Sequence, residues 1–405
     1  MKAQAWKVAL AAAALTALAT GGRQVYGVFV SPLNTASGLG LATISLALAA
    51  GQLGMGFAQP VLGRWADRAG AMHVVLAGSL LLACSVAVPV LSLSAPLLLG
   101  SLVVSTIAAS AVGSNGLLMG PVSRASGARD AGLAVGIVGA GASAGQLVLG
   151  PVLQWLIDHY GWRPALLSLS SLALLALPLS SGLRERRGSA PSAAAREPIG
   201  DALRQGAFWR PALSFGVCGF HIAFLGAHMP GAIERCGFPA SLAGPWIAVA
   251  GAANIAGSLA SGLLMKRVPQ GTLLAGIYWL RAASILAFVL APPSVATLLV
   301  FALVMGASHM ATLPPTSSLI SAAFGTARMG TLFGMVMLVH QTGSFLGIGL
   351  GGWLAQHTGA DRAFWAIDIV LALAAGALVW PRAAAAARAR VLRAGRAERS
   401  AAAPS

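Results

Sequence analysis

A chain of 405 residues that is 57% hydrophobic and only 9% charged, with a mean hydropathy of +0.80, has too little polar surface for a water-soluble domain of its size. Its formal charge of +16 and pI near 11.6 would suit a polyanion. A nucleic-acid face needs its cations gathered on one surface, however, and these are scattered among separate loops, so the lipid bilayer is the expected partner and nucleic acid is not.

The chain opens with Lys2 and Lys7 ahead of an Ala/Leu run that resembles a secretory leader. The apolar run continues through Arg23 to Val30, and it reads as an uncleaved first helix. A membrane span needs about 20 predominantly apolar residues. On that basis helices are expected at Val8–Ser31, Leu41–Leu62, Met72–Leu91, Leu97–Val122, Ala131–Ile157 and Pro164–Gly182. A second set follows at Trp209–Ala232, Leu242–Met265, Thr272–Ala291, Val295–Ile320, Gly330–Leu354 and Ala363–Trp380. The predicted fold is an all-α polytopic membrane protein of about twelve transmembrane helices in two six-helix halves. The halves are 1–182 and 209–380; a polar Arg/Ser/Ala/Pro linker occupies 183–208, and a basic tail occupies 381–405.

Lys and Arg concentrate in alternate loops, at Arg64, Arg68, Arg124, Arg129, Arg184, Arg186, Arg187, Lys266, Arg267 and Arg328, and at both chain ends. The opposite loops carry Arg163, Arg235 and Arg362. This positive-inside pattern places both termini in the cytoplasm. Trp6, Trp65, Trp209 and Trp380 at one set of span ends, with Trp155, Trp162, Trp353 and Trp365 at the other, read as interfacial belts. Cys84, Cys218 and Cys236 have neither paired nor metal-like spacing; they read as core residues, and no metal or cofactor is expected.

The halves repeat. A shift of 198 positions aligns Gly132 with Gly330, Gly136 with Gly334, Gly145 with Gly343, Trp155 with Trp353, Leu156 with Leu354, His159 with His357 and Gly161 with Gly359. The shared Trp-Leu-x-x-His-x-Gly ending argues for parallel six-helix repeats. Gly136, Gly139, Gly141 and Gly145 in the fifth span, with Gly343, Gly347, Gly349, Gly351 and Gly352 in the eleventh, are expected to let these helices approach their neighbours closely. Pro314-Pro315 should kink the tenth span and free a carbonyl toward the interior.

Between the second and third spans runs Gly63-Arg64-Trp65-Ala66-Asp67-Arg68-Ala69-Gly70. This stretch resembles the loop 2–3 signature of the major facilitator superfamily, with Gly63, Asp67, Arg68 and Gly70 as its gating motif. In the second half, Gly262-Leu263-Leu264-Met265-Lys266-Arg267 has Lys266 where the acid would fall. Three further segments are similar to bacterial relatives of the monocarboxylate porters: Gly22-Arg23-Gln24-Val25-Tyr26-Gly27-Val28-Phe29, Gly145-Gln146 leading to Gly161-Trp162-Arg163, and His340-Gln341-Thr342-Gly343. Two departures limit the likeness. The fourth span offers Ser105, Ser110, Ser114 and Asn115 where many proton-coupled relatives embed an Arg, and Gly150-Pro151 lacks the fuller pattern of drug/proton antiporters.

The resemblance implies a central cavity lined by spans one, four, seven and ten. Arg23 in the first span is the expected carboxylate ligand, the alternative being an Arg that meets backbone carbonyls or snorkels outward. Tyr26, Asn115, His221, His228, Asn254, His340 and Gln341 complete the candidate substrate-binding set. His221 and His228, seven apart, share a helix face, and imidazole is the natural proton site where carboxylates are scarce. Of ten acids only Asp368 is clearly embedded, and a structural ion pair between Arg281 and Asp368 is expected. More cations than anions favour a small anionic substrate. The expected function is secondary active transport of an organic anion, a monocarboxylate, with proton coupling permitted. The rivals are a drug or metabolite efflux antiporter of the same fold and a non-transporting membrane sensor or scaffold. No catalytic constellation marks an enzyme.

Overall fold

In a computed structural model that describes residues 3–183, 200–325, 329–358 and 362–380, every regular element among the described residues is helical. Eleven helices are long and apolar enough to cross a membrane, and a twelfth, Ala363–Val379, is apolar but shorter. The chain is therefore a multi-pass membrane protein. Most of the expected linker and the whole basic tail lie outside the described residues; within the linker, a short helix at Gly200–Leu203 precedes the seventh span.

The two halves use the same contacts. In the first, span one packs on five, two on four, and three on four and six; in the second, seven packs on eleven, eight on ten, and nine on ten and twelve. The halves join where span two meets eleven and span five meets eight. Glycine makes the closest approaches possible: a Cβ on Gly145 would collide with the backbone of Ala17, and one on Gly343, its repeat partner, with the backbone of Gly216. Gly141 and Gly347 meet the backbones of Ala13 and Phe220 in the same way, while Gly351 and Gly352 make room for the side chains of Phe224 and Ser45. Gly136 and Gly139, expected to do likewise, look onto open space instead and line the central cavity.

The repeated Trp-Leu-x-x-His ending is duplicated atom for atom. His159 Nδ1 lies 2.9 Å from the Trp155 carbonyl and His357 Nδ1 lies 2.9 Å from that of Trp353. Both ring pairs have centroids 4.7 Å apart. Six of the expected belt tryptophans are exposed, but Trp365 is 5% exposed and packs edge-on against Phe224, Phe288 and Phe301.

Several boundaries differ from expectation. The second span, Leu41–Ala69, runs seven residues past Leu62, and the turn to Ala71–Leu91 is Gly70 alone, at φ +91 where a side chain would be strained. The fourth span ends at Gly113, and a new helix runs from Asn115 to Tyr160 through the stretch expected to be a loop. No positive-φ glycine interrupts that helix, unlike the turns at Gly38, Gly70 and Gly161.

The tenth span does break at its prolines. Val295–His309 is followed by a 3-10 turn, Met310–Thr312, and a second helix, Leu313–Phe324. Pro315 cannot donate to the Ala311 carbonyl, and Ser261 Oγ takes that acceptor at 2.7 Å from the eighth span. The freed group is thus claimed by a neighbouring helix, not by the cavity.

Candidate functional site

The first span is the least regular of the twelve. Helix over Ala3–Thr16 passes into a π turn at Ala17–Gly21, one α turn at Gly22–Gln24, a 3-10 turn at Tyr26–Phe29, and helix again over Val30–Ser37. Val25, at φ −95 and ψ 1, sits in the sparsely populated bridge region. Such changes of winding shift the register of side chains and recur at functional sites. Arg23, Gln24 and Tyr26, at this irregular point, all line one central cavity of about 1110 Å³.

The cavity is one-sided. At one end Gly136, Gly139, Gly262 and Gly334 face open space. At the other the halves are in contact: a Cβ on Gly27 would collide with the Gly226 carbonyl, Ser31 Oγ donates to Glu234 Oε2 at 3.1 Å, and Ala42 N donates to Gln356 Oε1 at 2.7 Å. A smaller cavity of about 320 Å³, bordered by Val28, Thr35 and Trp162, adjoins this contact, with Ser31 and Glu234 on its wall.

Arg23 Nη1 donates to Gln52 Oε1 at 3.1 Å across to the second span, which leaves the rest of the guanidinium fork uncommitted to that bond. Tyr26 and Gln341 line the cavity and are 8% and 4% exposed. His340 lines it half-buried, its ring 4.6 Å from that of Phe215. Asn254 also borders it, but both ends of its amide are used: Nδ2 donates to Ser143 Oγ and Oδ1 accepts from Met310 N, each at 2.9 Å. It splints spans five, eight and ten, and takes the backbone N–H exposed by the break. The Asn115 side chain lies outside the described residues.

Other expected site residues fall elsewhere. His221 and His228 share a face of the seventh span, but that face turns away from the cavity. His228 Nε2 meets the Ile348 carbonyl at 2.9 Å in the eleventh span. His221 Nε2 lies 3.2 Å from the Asp368 carbonyl and 3.0 Å from Asp368 Oδ1 in the twelfth, with both residues fully buried. The expected Arg281–Asp368 pair is therefore not formed: His221 is closer to the acid. Arg281, also fully buried, instead donates through Nε to Ser308 Oγ at 2.9 Å and through Nη2 to the Ser308 carbonyl at 2.5 Å and the His309 carbonyl at 3.4 Å. These carbonyls end the first half of the tenth span, where the helix dipole favours a cation. Gly63 and Arg68 are not in a loop: 63–69 forms the last two turns of the second span and Gly70 alone makes the turn, with Arg68 exposed and the Asp67 side chain outside the described residues.

Sequence reasoning missed Gln52, Gln146 and Trp246, which line the cavity, as does His309. The available signal for Gln52 and Gln146 was a lone amide within an otherwise apolar span.

Among the described residues, twelve apolar helices in two halves with matching contacts enclose a largely apolar cavity that carries a few polar groups: this is the architecture of a membrane carrier. A model of the Major Facilitator Superfamily matches residues 12–340, and the chain belongs to that family. Monocarboxylate transporter 13 of Rattus norvegicus is 30% identical over 233 residues, covering 56% of this chain and 54% of the relative. Monocarboxylate transporter 11 of Mus musculus is 33% identical over 247 residues, with 56% and 54% covered. The chain spans about half the length of the curated relatives it matches. Among solved structures, a bacterial homologue of the human lysosomal transporter Spinster, inward-facing and unoccupied, aligns with a TM-score of 0.72 at 17% identity. That alignment covers 94% of this chain and 97% of the other, and likeness at this identity shows the fold alone.

Proposed function

We propose that this protein is a secondary active transporter that carries a small organic anion, a monocarboxylate, across a bacterial cytoplasmic membrane by alternating access, with proton symport as the driving process. One observation carries the reading. Among the described residues lining the cavity, Arg23 is the only Lys or Arg, and none is Asp or Glu. A positive group in a low-dielectric cleft raises the local concentration of anions and repels cations, and a guanidinium fork matches carboxylate geometry. The names of the rat and mouse relatives point the same way.

The open end of the cavity lies on the side of Arg64 and Arg68, at the end of the second span, and of the Lys266–Arg267 turn. By the positive-inside rule this end, with both termini, faces the cytoplasm, so the described conformation is inward-open. The segment carrying Gly63, Asp67, Arg68 and Gly70 stands at its rim, where it would latch the halves in the opposite state. His340, on the wall of the same cavity as Arg23, is the proposed proton carrier: a cavity imidazole that gains a proton adds positive charge to the cleft and strengthens anion binding.

A second reading, efflux of drugs or metabolites, is favoured by the largely apolar wall, which includes Phe215, Trp246, Ile247, Met305 and Phe333. The two separate in purified protein reconstituted in liposomes. Carboxylate transport predicts pH-gradient-driven uptake of a labelled monocarboxylate that unlabelled carboxylates inhibit and lipophilic cations do not. Inhibition by cationic dyes alone, with no carboxylate flux, would move the efflux reading to first place.

A further inference from the structure

The blind end of the cavity carries polar groups that Arg23 does not use. Trp246, 4% exposed, lines the cavity with Tyr26, and its indole N–H has no hydrogen-bond partner. Gln24 Oε1 and Gln146 Oε1, also on the cavity wall, are buried and unpartnered too. Buried polar atoms are seldom left unpaired, because each costs about 1–3 kcal/mol. An orphaned Trp N–H is the most informative of the set, since indole only donates and so requires an acceptor.

The position of Trp246 gives it consequence. It belongs to the eighth span, in the second half, whereas Arg23 and its Gln52 partner belong to the first. It stands next to Ile247, which packs on Gly150, at the level where the halves close. Around it the wall is apolar, with Leu225 and Ile247 beside it.

We propose that Trp246, with Tyr26, forms a second polar pole of the substrate site, and that the substrate is an organic anion whose apolar body carries an uncharged oxygen acceptor at the end remote from its carboxylate. The inference rests on the carboxylate reading above. A ligand held by Arg23 in one half and by Trp246 in the other ties the halves together across the cavity. Such a ligand binds the closed form better than the open one, as alternating access requires of a substrate.

The test uses the full-length protein in nanodiscs and a matched pair of ligands, phenylacetate and 4-hydroxyphenylacetate, with binding measured by calorimetry. Wild type is expected to favour the hydroxylated ligand about tenfold, the value of one buried hydrogen bond. Trp246→Phe keeps the aromatic bulk and loses the N–H, and it should reduce the preference to within about twofold. Tyr26→Phe provides a second variant that should narrow the same preference. A preference that persists in Trp246→Phe overturns the proposal. Equal binding of both ligands to wild type overturns it as well, and leaves the carboxylate reading standing. Failure of wild type to bind either ligand, with no carboxylate uptake in liposomes, overturns both.

Discussion

Arg281 offers the sharpest separation of structural from functional charge. It is fully buried on the ninth span and makes two well-formed bonds to Ser308, through Nε at 2.9 Å and Nη2 at 2.5 Å. Arg281→Met removes both and leaves the end of a broken helix without its cation. Charge-assisted bonds contribute about 1.5–3 kcal/mol each. Against a gross loss of about 3–6 kcal/mol stands the release of a buried charge that has no acid against it, so a net destabilisation of about 3 kcal/mol is expected. At about 2 °C per kcal/mol for a large domain, Tm in detergent should fall by roughly 6 °C. The folded fraction, reconstituted, should retain its KM for carboxylate within about twofold, since Arg281 is not among the residues lining the cavity. An unchanged Tm together with abolished uptake would refute the splint and make Arg281 a transport residue.

Three further outcomes follow from the packing. Gly145→Val and Gly343→Val drive a side chain into the backbones of Ala17 and Gly216 and should each cost about 2–3 kcal/mol, whereas Gly136→Ala and Gly139→Ala, which face open space, should leave Tm unchanged. His221→Leu leaves Asp368 buried without its imidazole and should destabilise by about 3–5 kcal/mol, with Asp368→Leu added in the same chain restoring most of the loss; no recovery in the double variant would show that the two do not act as a pair. Glu234→Ala with Gln356→Ala removes two bonds of the outer seal. On a background with Cys84, Cys218 and Cys236 replaced by Ser, a cysteine at Ala227, on the central cavity, should then react roughly fivefold or more faster with an impermeant maleimide added from the sealed side, and an unaltered rate would mean that these bonds do not hold the seal.

The spans, the duplication and the placing of Arg23 on a cavity were legible because each rests on composition or on identity between the halves: Trp155 and His159 meet as Trp353 and His357 do. Which face of a helix looks into the cavity was not legible. In lipid both faces of a span are apolar, so the periodicity that marks a buried face in a soluble protein carries little information. His221 and His228 were assigned to the cavity for their chemistry, and their actual neighbours, Asp368 and Ile348, are set by how spans eleven and twelve wrap the seventh. The same uncertainty misdirected Arg281 to Asp368, since sequence offers one embedded acid and several cations without saying which is near. The break in the first span has no proline at Ala17–Val25 to announce it, whereas Pro314-Pro315 announced the break in the tenth.

The central claim is that Arg23 reads a carboxylate. Uptake of a labelled monocarboxylate into proteoliposomes under an imposed pH gradient should be compared for wild type, Arg23→Ala and Arg23→Lys, each shown to be folded by its Tm. Gradient-dependent uptake in wild type that falls at least about a hundredfold in Arg23→Ala and is not rescued by Arg23→Lys, which keeps the charge and loses the fork, is the predicted result. Uptake that proceeds undiminished in both variants would contradict it.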